Sequence, residues 1–181
     1  MSNFDFFYIE DFLNKKQIKQ LLSFIEKNFD VVENKEHQAP GKKTTTLCIL
    51  YSKIKNMLNN IEHQVNNINE HNFGYLLNPI NDFSYVLLNK YFSKDKGEYP
   101  WHNDASRSNF FDCKLTVQIN LSEEKYEGGE FLLCNPVPYV VEKFKPGTLL
   151  VFKSFLNHKV NPVTKGSRKT LTMFFNGPPL R

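Results

Sequence analysis

The chain has 181 residues, 23 Lys and Arg against 19 Asp and Glu, a formal net charge of +4 and a 40% hydrophobic composition. That length predicts one domain over residues 1–181, and the apolar fraction excludes a wholly disordered chain. So mild a positive balance disfavours a nucleic-acid partner.

Taken in chain order, the opening MSNFDFFYIEDF carries acids and lacks the basic region of a secretory signal. Asn14 and Gln17 form a capping-box pair ahead of Ile18, Leu21, Leu22, Ile25 and Phe29, whose spacing predicts an amphipathic helix. Ile54, Leu58, Ile61, Val65 and Ile68 predict a second helix, with Gly74 as its stop. Between the two lies a polar loop that ends in a candidate strand over residues 44–50. After residue 80 the period shortens towards two. Residues 85–92 read as a strand. Residues 114–121 alternate Leu115, Val117, Ile119 and Leu121 with polar partners, the pattern of a half-buried strand. Further strands are expected at 130–133 after Gly-Gly, at 148–152 after Pro-Gly, and at 169–175. The expected fold is mainly β with N-terminal helices. Residues 1–78 form a helical part packed on a jelly-roll core over residues 79–181.

No apolar run approaches the ~18 residues of a membrane span. The three cysteines, Cys48, Cys113 and Cys134, are odd in number, widely spaced and never C-x-x-C. They argue against a disulfide framework or a cysteine zinc site and for a reducing, cytoplasmic compartment. Of the cations 20 are Lys and only three are Arg, namely Arg107, Arg168 and Arg181.

His102 and Asp104 stand at i and i+2, which on extended backbone directs both to one face. His158 follows the strand expected at 148–152. Two His and one carboxylate on one side of a metal form the facial triad of non-haem Fe(II) oxygenases, and zinc accepts the same set. H-x-D alone is common by chance in a chain with five His, and for the pair by itself a solvated loop is the better explanation. The context adds order. Between the two metal segments stands E-G-G-E-F at 127–131, then P-G-T-L-L-V-F at 146–152, and Arg168 follows His158 by ten residues.

Together these motifs resemble the Fe(II)/2-oxoglutarate-dependent dioxygenases, most closely the prolyl 4-hydroxylase-like branch with its small bacterial and phage members. The resemblance spans residues 83–176 and matches the helical third only loosely. It implies a double-stranded β-helix, with Fe(II) held by His102, Asp104 and His158. 2-Oxoglutarate would chelate the metal, with its distal carboxylate on Arg168, whose planar fork suits a carboxylate. Thr172, Gln118 and Tyr91 fall near further cosubstrate positions of the family, where ordinary strand residues are an equal explanation. The implied reaction consumes O2, converts 2-oxoglutarate to succinate and CO2, and hydroxylates an unactivated C–H bond, with ascorbate as a stimulant. Asp104 favours hydroxylation over halogenation, since halogenating relatives lack the carboxylate. Phe174 stands where nucleic-acid demethylase relatives carry a second Arg. The implied substrate is a prolyl or other residue in a protein, or a free small molecule. A phage-encoded enzyme acting in the host cytoplasm is compatible with this reading. Rival classes are a cupin-like module that binds metal without turnover and a structural viral jelly roll.

Other residues read less sharply. Tyr99 and Trp101 flank the triad as candidate pocket walls or as core. Arg107 is a candidate anion contact or a solvated loop residue. Lys42 and Lys43, beside Gly41, belong to a lid or to a charged loop. Lys169 is expected to face away from Arg168 on the last strand, and Lys165 to lie in the turn before it.

Overall fold

The computed structural model describes residues 4–29, 41–105 and 110–179. Two antiparallel sheets face each other across an aromatic core, and helices cover the outer face of the larger one. The strands are β1 (Phe6–Ile9), β2 (Thr45–Leu50), β3 (Tyr85–Phe92), β4 (Tyr99–His102), β5 (Asp112–Asn120), β6 (Glu127–Gly128), β7 (Phe131–Cys134), β8 (Pro138–Val140), β9 (Leu149–Lys153), β10 (Asn157–Val160), β11 (Val163–Lys165) and β12 (Ser167–Gly177). The large sheet runs β1-β9-β5-β12-β3-β2 and the small one β4-β10-β7-β8, with β6 and β11 forming a separate pair. This is the jelly roll expected from the strand pattern.

Helix α1 (Lys15–Asn28) begins as its sequence signals require. The Asn14 side chain accepts from the Gln17 N–H, and the Gln17 side chain accepts from the Asn14 N–H, each at 3.0 Å. Ile18, Leu21, Leu22 and Ile25 are buried against the large sheet. The single helix expected from Ile54 to Ile68 is instead broken. A short turn, α2 (Tyr51–Ile54), passes through a 3-10 segment before α3 (Ile61–Ile68) begins. Asn59 and Asn60 adopt left-handed backbone conformations (φ 44° and 55°), which interrupt the helix. Ile54, Leu58, Ile61, Val65 and Ile68 still reach the same core, so the apolar stripe was informative although the continuity was not.

The strand expected over 44–50 forms as β2 at one edge of the large sheet, whereas β1, at the other edge, had no sequence expectation. The second correction concerns β5. Its alternation suggested one solvated face, yet all nine residues are buried. Leu115, Val117 and Ile119 pack under the helices, while Thr116, Gln118 and Asn120 face the space between the sheets. The same division holds on β12, where Leu171, Met173 and Phe175 join the helix-side core. Thr170, Thr172 and Arg168 have the opposite parity and are also buried. The polar faces of β5 and β12 therefore line the interior of the roll. Among the described residues, no helix is long and apolar enough to cross a membrane.

Candidate metal centre

His102 ends β4 and lies opposite His158 on β10. The β4–β10 register shifts between this pair and the pair Tyr99–Val160, so three steps on β4 match two on β10. This irregularity puts Tyr99 and His102 on one face, where their rings stack with centroids 3.5 Å apart. Asp104 follows the strand and is tied by its N–H to the Ser154 carbonyl at 2.9 Å. His102, Asp104 and His158 thus converge, with one potential ligand atom from each within 4.8 Å of the others. His158 Nε2 is 3.3 Å from Asp104 Oδ2, and His102 Nε2 is 3.8 Å from Asp104 Oδ1.

The tautomers suit a metal. Nδ1 of His102 bonds the Pro100 carbonyl at 2.8 Å, and Nδ1 of His158 bonds the Leu156 carbonyl at 3.0 Å. A carbonyl only accepts, so each Nδ1 carries the proton and each Nε2 keeps its lone pair. Burial, followed by the neighbouring His158, pushes His102 down to about 4, which leaves it neutral near pH 7. Burial works to raise the Asp104 carboxyl, but the adjoining imidazoles of His158 and His102 and the Thr116 hydroxyl, which donates to it, outweigh burial and hold it below its usual range. Two imidazoles, each with Nε2 free to face the metal, and one carboxylate form the donor set typical of non-haem Fe(II).

Residues without a sequence motif support the carboxylate. Thr116 Oγ1 donates to Asp104 Oδ2 at 2.9 Å. Having spent its proton there, Thr116 accepts from Ser154 Oγ at 3.0 Å, and Ser154 in turn accepts from Cys113 Sγ at 3.1 Å. Burial pushes the Cys113 thiol up to about 11, so it retains the proton this chain of bonds needs. Thr116 and Ser154 were missed in the sequence because nothing local marks them. Only the pairing of β5 with β9, which ends beside Ser154, brings them together.

Arg168 lies opposite Tyr91 on the neighbouring strand and is 1% exposed. Its guanidinium carbon is 5.2 Å from the Tyr91 ring centroid and 5.6 Å from that of Phe144. Neither Nε nor either terminal nitrogen has a hydrogen-bond partner among the described residues. Isolating a buried cation costs several kcal/mol, so a fold that carries one is built to meet an anion there. The buried Gln118 Oε1 is likewise unpartnered. Thr172 pairs with Gln118 in register and accepts from Asn89 Nδ2 at 3.2 Å, which leaves its own O–H to donate. Burial pushes the Tyr91 phenol up to about 12, against the pull of Arg168; the phenol also feels the Asp104 charge. Tyr91 therefore lies within electrostatic reach of both the cation and the metal ligands. An orphaned guanidinium at one end of this interior and an His-His-Asp set at the other fit a carboxylate-bearing metal chelator such as 2-oxoglutarate.

The E-G-G-E-F run has a steric reason. A Cβ on Gly128 would come within 2.2 Å of the Pro162 carbonyl oxygen, and one on Gly129 within 3.1 Å of Arg168 Cδ. Both glycines have positive φ (72° and 66°). They let the β6 segment close over the arginine stem.

The remaining candidates separate cleanly. Lys169 faces outward and pairs with Glu123, and Lys165 pairs with Glu127. Lys165 closes β11 rather than lying in a turn. Tyr99 belongs to the site through its stack on His102, whereas Trp101 is 42% exposed and lies under Lys159. Lys43 pairs with Glu98 at the surface, while Lys42 turns inward over Tyr99. Arg107 lies outside the described residues. A cavity of about 1020 Å³ opens elsewhere, between the start of α1 and the segments 122–131 and 140–146, and none of the three metal ligands lines it.

Comparison with known proteins agrees with this geometry. Residues 86–176 match the model of the 2OG-Fe(II) oxygenase superfamily. A PKHD-type hydroxylase of Janthinobacterium sp. (strain Marseille) is 32% identical over 90 residues, covering 45% of this chain and 38% of the relative. One of Azoarcus sp. (strain BH72) is 30% identical over 94 residues, covering 49% of this chain and 41% of the relative. The chain thus spans well under half the length of these curated relatives. In fold it is similar to a Pseudomonas putida prolyl-4-hydroxylase, with TM-score 0.69 and 18% identity over 97% of this chain and 94% of that one. It is equally similar to a viral collagen prolyl hydroxylase from Paramecium Bursaria Chlorella virus-1 solved with 2OG, with TM-score 0.69 and 15% identity over 96% and 97% of the two chains.

Proposed function

Because the chain belongs to the 2OG-Fe(II) oxygenase superfamily, we propose that it is a hydroxylase that couples 2-oxoglutarate decarboxylation to oxygen insertion into an unactivated C–H bond. The unit that does this is a single oxygenase domain. The observation that carries the reading is the pairing of a convergent His102–Asp104–His158 set with a buried, unpartnered Arg168 inside one roll. A metal-binding module without turnover has no use for that arginine, and a structural jelly roll has no use for either feature.

His102 and His158 would offer Nε2, and Asp104 one carboxylate oxygen, to Fe(II). When bound, the iron supplies the oxygen activation that no side chain can perform. Arg168 receives the distal carboxylate of 2-oxoglutarate through parallel N–H donors, with Thr172 donating its hydroxyl to the same group. Gln118 and Tyr91 wall the chelator between these ends. Phe131 and Phe152 pack against His158 with ring centroids 5.6 and 4.8 Å away, keeping water from that side of the metal. Thr116 holds Asp104 in place.

For the substrate, we favour a prolyl or other residue of a polypeptide. The structurally similar proteins include a prolyl hydroxylase from Trichoplax adhaerens solved with a peptide fragment, which supports this choice. Its three free cysteines suit a reducing, intracellular setting.

The test is 2-oxoglutarate turnover with Fe(II), ascorbate and O2, read as succinate. It is paired with calorimetric binding of 2-oxoglutarate to the Mn(II)-loaded protein. Proline-containing peptide libraries screened by mass for added oxygen then address the substrate. Absence of metal-dependent 2-oxoglutarate binding overturns the reading.

A further inference from the structure

Lys42 is a partly buried cation that the reaction as proposed does not use. It precedes β2, and its ammonium turns inward. It lies 4.8 Å from the centroid of the Tyr99 ring, and that ring stacks on His102. Its hydrogen-bond partners are neutral: Thr46 Oγ1 at 3.1 Å and Asn89 Oδ1 at 3.3 Å. Thr46 also donates to Asn89 at 2.8 Å, and Asn89 donates to Thr172 at 3.2 Å. Lys42 is thus one end of a polar track along the inner face of β2, β3 and β12.

Other shielded lysines have an acid at hand. Lys90 pairs with Glu26 and Lys114 with Asp112. Among the described residues no carboxylate within ion-pair distance of Lys42 is found. Burial works against its charge, and the Asp104 carboxylate favours that charge through space. Lys42 in turn acts on His102. The amine is therefore close to the metal ligands without being one of them. A shielded ammonium with two neutral acceptors has a third N–H to spend, and an anion is its best recipient.

We propose that Lys42 is a second carboxylate-binding residue of this site. Its ammonium receives the metal-proximal carboxylate of the cosubstrate while Arg168 receives the distal one. The two cations then bracket a dicarboxylate, and Thr172 and Asn89 lie along the wall between them. This rests on the proposed use of 2-oxoglutarate and adds a selection rule to it. Each end of the chelator is read by its own cation, so a 2-oxo acid with one carboxylate depends on Lys42 and not on Arg168.

The experiment is calorimetric titration of Mn(II)-loaded full chain with two probes, 2-oxoglutarate and pyruvate. Lys42→Met keeps the stem over Tyr99 and removes the charge; Lys42→Arg restores a cation. Lys42→Met should weaken both probes by about tenfold to a hundredfold, the range of one charge-assisted hydrogen bond. Lys42→Arg should recover most of the loss. Arg168→Ala should weaken 2-oxoglutarate and leave pyruvate nearly unchanged. Mn(II) affinity and melting temperature are read for each variant, so that a folding defect is separated from a binding one. If Lys42→Met binds both probes like the wild type, the proposal is overturned while the function stands. If Lys42→Met and Lys42→Arg lose affinity alike, charge is not what Lys42 contributes, and the proposal also falls. If the wild type itself binds no 2-oxoglutarate, the function fails first.

Discussion

Arg168 and Tyr91 face each other across the β3–β12 pair, with 5.2 Å between guanidinium carbon and ring centroid. The contact sets the cation beside the ring, and none of the three Arg168 nitrogens has a hydrogen-bond partner among the described residues. Tyr91 thus orients Arg168 without neutralising it. That combination is costly for a structural residue and useful for one that meets a carboxylate.

It follows that Arg168→Lys should weaken 2-oxoglutarate binding while sparing Mn(II), because the charge survives and the two parallel donors do not. Arg168→Ala should cost more, about 2–5 kcal/mol, the range for truncating one partner of a buried charge pair. Arg168→Met should raise the melting temperature of the ligand-free protein, at about 2–4 °C per kcal/mol for a chain of this size, because it removes a desolvated charge. It should also abolish the stabilisation that 2-oxoglutarate confers. Calorimetry and thermal melts measure both. A ligand-free Arg168→Met protein that melts well below the wild type would show that the guanidinium is structural.

Lys165 and Lys169 flank Arg168 in sequence and have other work. They pair with Glu127 and Glu123 on the outside of the roll. Surface ion pairs contribute little and exchange readily with water. Lys165→Ala and Lys169→Ala should therefore leave 2-oxoglutarate affinity within about twofold of the wild type, close to measurement error in free energy. A loss as large as that of Arg168→Ala in either variant would contradict the register of β12.

Each of His102→Ala, Asp104→Ala and His158→Ala removes one of three protein ligands, so each should abolish stoichiometric Mn(II) binding. Asp104→Gly should also lose hydroxylation. Titration of metal into each variant decides this residue by residue, and unchanged affinity in one removes it from the set.

Much of this site was readable because its chemistry sits in short local patterns. The i, i+2 spacing of His102 and Asp104, and the parity of Arg168 and Thr172, both survive folding unchanged. The broken helix was not readable, because Ile54 to Ile68 keep helical spacing straight through the left-handed turn at Asn59 and Asn60. The inner face of β5 misled for another reason. Alternation reports two chemically different faces, but it does not say that the polar one meets water. In this roll it meets the site. Lys42 read as lid or charged loop because a lysine beside a glycine in a polar stretch looks like solvent-exposed chain, and only the pairing of β2 with β3 carries it inward.

Thr116 tests whether that inner face of β5 acts on the metal. Its hydroxyl donates to Asp104 Oδ2 at 2.9 Å and is backed by Ser154 and Cys113. Thr116→Val keeps the shape and removes the donor. The carboxylate then loses one restraint on its rotation and one bond that favours its charged form. Outer partners of metal ligands are worth about 10–100-fold in affinity, and Thr116→Val should weaken Mn(II) binding by that amount. Thr116→Ser retains the hydroxyl and should bind within a few-fold of the wild type. Because Thr116 is fully buried, Thr116→Val is also to be compared with Ser154→Ala, which leaves the Thr116–Asp104 bond intact. Ser154→Ala should disturb metal affinity less than Thr116→Val does. If the two variants weaken Mn(II) equally and melt equally early, the chain of bonds is packing, and Asp104 is positioned by its backbone bond to Ser154 alone.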